Sequence, residues 1–410
     1  MSENPSSAKH PSRTVSGVVQ VLDIKAAQPT SKALAGLTFA VKDMFDVAGE
    51  TAGFGCPDWK SSHSPAKENA AALETLLDNG AHLKANAVCD ELAFSLDGIN
   101  VHYGIPVNPL APTSIPGGSS SGPASVVAQG LFDFALGTDT AGSTRVPASY
   151  CGLWGLRPSH GAISLAGVLP LGPSFDTVGI LARDLDVLTK VAHVLIAPAD
   201  IGQADAKSTA NIEPPTTLLV VSECMALLNA ELLPPVMAMI DKFRRHFKHS
   251  GEETVLEDGL AALVSNFAAI RALEAWQCHS HWYERCKPNL SPAVAKRFLA
   301  CAAATESEAE KSRVYRRQMQ EQLAKILEDS VLCLPTTAQL PPLLSAGNEE
   351  LERNRSLNLR LNSIASFLGL PQITIPIVDD QLGPLPLGLS LIGKCGSEKT
   401  LLNLAKTLTK

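Results

Sequence analysis

Residues 116–145 read PGGSSSGPASVVAQGLFDFALGTDTAGSTR. The stretch 101–122 is too dense in Pro, Gly and Ser for a helix or strand and is expected to be loop. Pro123 suits the first turn of a helix, and Val126, Val127 and Leu131 recur on one helical face, which predicts a helix over Pro123–Ala135. Ser119–Ser121 then sit at a helix N-terminus, where unpaired amides and the dipole favour developing negative charge. A second cluster, Gly137–Arg145, supplies another serine, Ser143, after small residues whose amides can approach a ligand closely.

On the N-terminal side of this region, Leu37–Val41 (LTFAV) is a short apolar run before Lys42 and Asp43 and reads as a buried strand. Residues 67–80 place Ala71, Ala72, Leu73, Leu76 and Leu77 on one helical face, closed by Gly80. On the C-terminal side, 184–248 mixes helical patterns with a polar surface excursion at 200–216, and 258–331 is strongly helical, with charged faces around 305–322. Gln372–Val378 and Leu385–Ile392 read as a strand pair before a C-terminal helix. Strands alternating with helices, without repeats or an interdomain linker, predict the α/β class. One domain, 18–410, is expected behind a polar tail, 1–17, that is predicted to be mobile and lacks the apolar stretch of a secretory signal.

The 410 residues are 45% hydrophobic and 18% charged, with a mean hydropathy of +0.10, which excludes a largely disordered chain. A net charge of −7 without Lys/Arg blocks gives no electrostatic reason to bind nucleic acid or an anionic membrane. No apolar run reaches the ~20 residues needed to span a bilayer. Nine scattered cysteines, an odd number, read as reduced thiols of a cytoplasmic protein.

A hydrolase reading of the two serine clusters needs a nucleophile, a base and an oxyanion hole. Three assignments compete. Gly118–Gly122 matches G-x-S-x-G and would make Ser120 the nucleophile, but that motif requires a preceding strand, which Pro112 and Pro116 interrupt. Ser143 with His160 and Asp176 would form a Ser-His-Asp triad. A serine–lysine pair would use Lys42, whose flanks Phe39-Ala40-Val41 and Met44-Phe45 place it at a buried strand end, where the neutral amine is favoured.

The segments 39–47 (FAVKDMFDV), 117–122 (GGSSSG) and 135–159 (ALGTDTAGSTRVPASYCGLWGLRPS) resemble the amidase-signature family, as does the 24-residue spacing from Ser119 to Ser143. The resemblance continues through Asn100–Gly104, Asn108-Pro109, Asn362, Leu368–Pro371, Ile375-Pro376 and Pro386–Leu389, and so covers roughly 35–405. It implies a single domain with a central mixed β-sheet covered by helices on both faces. It also implies a catalytic lysine at Lys42, a bridging serine after a cis peptide at Ser119 and a nucleophile at Ser143. The amides of Thr140, Ala141, Gly142 and Ser143 would form the oxyanion hole, with Asp139 and Arg145 pinning the surrounding loops. Two positions depart from the family pattern: Ala141 stands where Gly is usual, and Asp90 where many members carry Asn.

Asp90, with Pro57–Trp59, Ser149–Gly152, Arg157–Gly161 and Ser174–Thr177, is most similar to a branch of short plant-type indole-3-acetamide amidases and an import-receptor domain. The implied activity is hydrolysis of small, hydrophobic or aryl primary amides such as indole-3-acetamide to a carboxylate and ammonia, without cofactor or metal. The acyl pocket is expected around Leu92–Leu96 and the 258–331 helices, with no charged cluster near it. The implied partner is a small-molecule amide, and a homodimer is compatible with the sequence. The alternatives are a glutaminase-type subunit of a tRNA-dependent amidotransferase and a non-catalytic amidase-like binding domain. Cys278, His279, His281 and Cys286 match no zinc spacing, Cys151 is expected to be an inert buried thiol, and Trp276 a core residue.

Overall fold

The apolar run after Gly36 forms a strand, Thr38–Lys42, and its alternation sets the layering of the molecule. Phe39 and Val41 join one apolar cluster with Leu73, Leu76 and Leu77 of helix α1 (Ala71–Asp78). Ala40 points the other way, into a cluster with Ala124, Val126 and Val127 of helix α2 (Ser121–Ala128). Successive side chains of a strand face opposite sides, so this segment alone shows a sheet covered by helices on both faces. The computed structural model describes residues 14–196, 214–379 and 383–409.

Among the described residues, eleven strands form the sheet. In chain order they are β1 (Val18–Ile24), β2 (Thr38–Lys42), β3 (His82–Ala87), β4 (Phe134–Thr138), β5 (Trp154–Arg157), β6 (Val178–Ala182), β7 (Thr217–Val221), β8 (His249–Glu253), β9 (Ser330–Pro335), β10 (Gln372–Asp379) and β11 (Gly383–Ile392). Their spatial order is β8-β7-β9-β11-β10-β5-β6-β4-β2-β3-β1. The sheet is mixed: β2 runs parallel to both β3 and β4, while β4 pairs antiparallel with β6, and β10 with β5 and β11. The expected C-terminal strand pair is therefore the β10–β11 hairpin, at the centre of the sheet. The other helices that matter for function are α3 (Arg145–Tyr150), α4 (Gly259–Cys286), α5 (Pro292–Ala300) and α6 (Glu306–Ile326), with α7 (Asn348–Leu368) completing the set.

Three expectations need correction. Helix α2 begins at Ser121 and ends at Ala128 rather than spanning Pro123–Ala135. Gly130, at φ +78°, donates to the Val127 carbonyl while the Leu131 N–H donates to Val126, a left-handed cap that turns the chain out and leaves Leu131 48% exposed. Phe134–Thr138 is then a strand, buried on both sides. A short apolar run of this kind has no period that separates it from a helix end. The tail expected at 1–17 is also shorter at its inner end: Thr14–Val15 pairs in parallel with Ile105–Pro106, inside the stretch read as loop. Residues 1–13, and 197–213 within the expected excursion, lie outside the described residues.

Candidate active site

Lys42 and Thr138 are the last residues of β2 and β4, neighbouring parallel strands. Lys42 shares the face of Ala40, which α2 and the loop before it cover. Its side chain is 0% exposed, and Nζ lies 2.7 Å from Ser119 Oγ and 2.8 Å from Thr138 Oγ1. Burial pulls the amine down to about 8, although the carboxylates of Asp90, Asp139 and Asp176 act in the opposite sense. A lysine that loses its proton near neutrality is a competent base.

The loop carrying Ser119 is held from below by Asp90. The Gly118–Ser119 peptide is cis. A Cβ at Gly118 would fall 2.2 Å from Asp90 Oδ2, so glycine is required where the carboxyl packs against the backbone. Asp90 accepts hydrogen bonds from the Gly98 N–H (3.0 Å) and the Ser121 hydroxyl (3.2 Å), and its own N–H donates to the Ser119 carbonyl (3.2 Å). Burial raises its carboxyl to about 6, so it is ionised at pH 8. Its negative charge supports the protonated form of Lys42. Asp90→Asn keeps an acceptor at this position but removes that charge. The alkaline-rising limb of activity should then move toward lower pH, with the rate at pH 7 rising about two- to fivefold relative to its plateau. A kcat/KM profile that stays in place or moves to higher pH contradicts this coupling.

Ser143 stands in a turn organised by Asp139. That carboxylate accepts from the amides of Gly142 (2.9 Å) and Thr144 (3.0 Å), from Arg145 Nε (2.9 Å) and Nη2 (2.7 Å), and from Arg157 Nη1 (3.1 Å). Burial alone would raise it, but Arg145 and Arg157 outweigh burial and hold it well below the usual carboxylate range. Arg145 also donates to the Asn362 carbonyl (2.9 Å) and Ser366 Oγ (2.7 Å) of α7 and to Gln372 Oε1 of β10 (2.5 Å), tying the turn to the C-terminal third of the chain. All three charged residues are 0% exposed. Arg145→Ala therefore leaves a buried carboxylate short of a partner and should cost about 3–5 kcal/mol of stability. An unchanged urea midpoint would count against this account.

The two serine loops meet through the Ser120 N–H, which donates to the Ser143 carbonyl (3.0 Å). Ala141 is outside the left-handed region, so replacing the family's usual glycine there adds no strain. Gly142 does need to be glycine: its φ is +116°, and a Cβ would meet Asn362 Cβ at 3.0 Å. The oxyanion-hole expectation is narrowed at this residue, because its N–H is already directed at Asp139. The amides of Thr140, Ala141 and Ser143 carry no acceptor among the described residues.

The rival serine assignments do not assemble. Ser120 Oγ donates to the Thr138 carbonyl and accepts from its N–H, and the side chain is fully buried. The His160 ring bonds to the Pro173 carbonyl, while Asp176 accepts from the Thr140 hydroxyl (2.5 Å) and the Leu171 and Gly172 amides. Cys151 is a buried thiol that donates to the Pro116 carbonyl and is pushed far up by burial. His279 bonds to the Pro170 carbonyl among Phe54 and Trp59, and Trp276 packs on Phe298.

A cavity of about 230 Å³ opens over Ser143, Thr140 and Ala141. Phe94, Leu96, Leu171 and Leu359 supply apolar wall, as expected for the segment around Leu92–Leu96 and the α4–α5 helices. The expectation of no charged cluster is overturned: Arg271 of α4, Arg297 of α5 and Arg355 of α7 also line the cavity.

Known proteins resemble this chain over most of its length. The profile of the family described as Amidase matches residues 20–402. The chain belongs to the amidase family. Among its relatives is "Amidase 1" of Arabidopsis thaliana, 36% identical over 405 residues and covering 92% of this chain and 93% of the relative. Another is "Translocon at the outer membrane of chloroplasts 64" of Pisum sativum, 35% identical over 92% of this chain and 66% of that protein. A solved structure described as "Crystal structure of amidase" superposes with a TM-score of 0.80 at 27% identity, covering 93% of this chain and 86% of that one. Like its relatives of the amidase type, this family member is an amide-hydrolysing enzyme. No helix among its described residues is long and apolar enough to cross a membrane.

The resemblance implied one site for Lys42, Ser119, Ser143, Asp139 and Arg145; the structure bonds Lys42 to Ser119, pairs Asp139 with Arg145, and joins the two serine loops through the Ser120 N–H and the Ser143 carbonyl. Sequence reasoning missed Thr138, which shares the Lys42 amine, and Arg157, the second cation on Asp139. It also missed the three cavity arginines. For Arg271 a signal existed: Val264, Ala268, Arg271, Ala272 and Ala275 recur at helical spacing, so a cation stands in an apolar stripe.

Proposed function

We propose that this amidase hydrolyses small primary amides through a Lys42–Ser119–Ser143 relay. The contact that carries the reading is the 2.7 Å approach of the buried Lys42 amine to Ser119 Oγ, in the loop whose backbone is bonded to that of Ser143. Neutral Lys42 takes the proton of Ser119, and Ser119 takes that of Ser143 as its oxygen bonds to the amide carbon. The oxyanion is met by the amides of Thr140, Ala141 and Ser143. The C–N bond then breaks, and the leaving nitrogen receives a proton from Ser119, which Lys42 replenishes. Ammonia departs, and water enters by the same relay to free the carboxylate and restore Ser143.

Thr138 accepts one N–H of Lys42 and so helps aim the lone pair at Ser119. The apolar wall around Phe94, Leu96 and Leu171 supports a hydrophobic acyl portion, and indole-3-acetamide is a natural first substrate. The test is ammonia release from primary amides in the presence of hydroxylamine. An acyl-enzyme partitions to give the hydroxamate alongside the acid, at a total rate independent of hydroxylamine if acylation is limiting. Ammonia release without hydroxamate formation, at any hydroxylamine concentration, would argue for direct attack by water instead.

A further inference from the structure

Three arginines line the cavity, and two of them already have an acidic partner. Arg355 holds Glu352 through Nε (2.9 Å) and Nη2. Arg297 reaches the same carboxylate at 3.5 Å and donates from Nε to the Phe94 carbonyl (3.1 Å). Arg271 differs from both: among the described residues it makes no ion pair and no hydrogen bond, and its buried Nε is unsatisfied. Its guanidinium lies over the Phe94 and Phe267 rings, 5.8 and 5.1 Å from their centroids, so its plane is held by aromatic contact while its donors stay unspent. Burial pulls it down to about 10, which leaves it cationic at neutral pH. The charged side chains that act on it are two further cations, Arg355 and Arg297. Glu352 and Asp97 face those two arginines and are not among the residues lining the cavity, and Asp97 is itself raised by burial and bonded to Ser95.

A cation placed without a counter-ion in the wall of the cavity that holds Ser143 is costly unless the substrate brings the charge. We infer that Arg271 is a specificity-determining residue that binds a carboxylate at the far end of the acyl chain, so that the preferred substrates are monoamides of short dicarboxylic acids. The amide end lies over Ser143, the methylene portion runs along Leu96 and Leu171, and the terminal carboxylate receives the guanidinium donors of Arg271 in the geometry that a planar fork favours. The inference rests on the hydrolase reading and competes with a wholly hydrophobic or aryl acyl group: it keeps the apolar middle of the acyl chain and puts a charge at its end.

The test compares kcat/KM for succinamate with that for 4-methylpentanamide, which replaces the carboxylate by a neutral branched end of similar shape, in the parent, Arg271→Met and Arg271→Lys. The parent should favour succinamate by about tenfold or more. Arg271→Met should collapse that ratio by about tenfold or more, and Arg271→Lys, which keeps the charge but loses the fork and the ring contacts, should fall between Arg271→Met and the parent. A parent that favours 4-methylpentanamide or indole-3-acetamide over succinamate, in a reaction abolished by Ser143→Ala, overturns the arginine assignment and leaves the hydrolase reading standing. The same holds if Arg271→Met leaves the ratio unchanged. Failure of every amide to release ammonia overturns both.

Discussion

Ser143→Ala should abolish hydrolysis, lowering kcat by about 10⁴-fold or more while the protein unfolds at the temperature of the parent. The change removes one oxygen from a residue whose backbone already does the structural work. Its carbonyl accepts from Ser120, and the turn around it is fixed by Asp139 through the amides of Gly142 and Thr144. Catalysis and stability therefore separate at this position. The residual rate should be that of water attack assisted by the oxyanion amides alone. Ser120→Ala is the natural contrast: among the described residues its hydroxyl bonds only to the Thr138 backbone, so its loss should act on stability rather than on acyl transfer.

Lys42→Ala should cost about 10³–10⁴ in kcat/KM, and Ser119→Ala less, since a water can take the place of the missing hydroxyl in the relay. The pH dependence carries the mechanism. With the Lys42 amine pulled to about 8, the parent rate should climb roughly tenfold per pH step below that value and level off above it. Lys42 variants should lose this limb. Removing His160, whose ring is bonded to the Pro173 carbonyl and to no serine among the described residues, should leave both rate and limb intact. The stability effect has the opposite sign to that of a lysine in a favourable ion pair. Because the folded-state value lies below the ordinary 10.5, the folded protein binds fewer protons between about 8 and 10.5. Stability therefore rises with pH across that window and carries the full burial penalty below it. Lys42→Met, which fills the space without the charge, should accordingly unfold no earlier than the parent at pH 7 while remaining inactive.

The parts of this molecule that could be read from the sequence are those in which local chemistry is decisive. Gly, Ser and Pro mark the Ser119 loop, a small-residue turn marks Ser143, and apolar flanks mark the burial of Lys42. The strand at Phe134–Thr138 was not readable, because its apolar run continues the α2 pattern and only the left-handed Gly130 breaks it. Nor were the partners of the Asp139–Arg145 pair fully legible: Arg157 reaches Asp139 from another strand, and Asn362, Ser366 and Gln372, which accept from Arg145, come from the far end of the chain. The acyl cavity is the extreme case. Its arginines stand on three separate helices, and only tertiary packing makes them neighbours of Ser143. Sequence patterns report what a residue does to its own element, whereas substrate charge preference is decided between elements.

The most direct measurement is to treat the parent, Ser143→Ala and Lys42→Ala at pH 8 with a serine-reactive acylating probe and to locate the adduct by peptide mass spectrometry. The account predicts one adduct on the parent, on Ser143, none on Ser143→Ala, and slow labelling of Ser143 in Lys42→Ala. An adduct on Ser119, Ser120 or a cysteine in the parent, or labelling of Ser143 at the parent rate without Lys42, would contradict it.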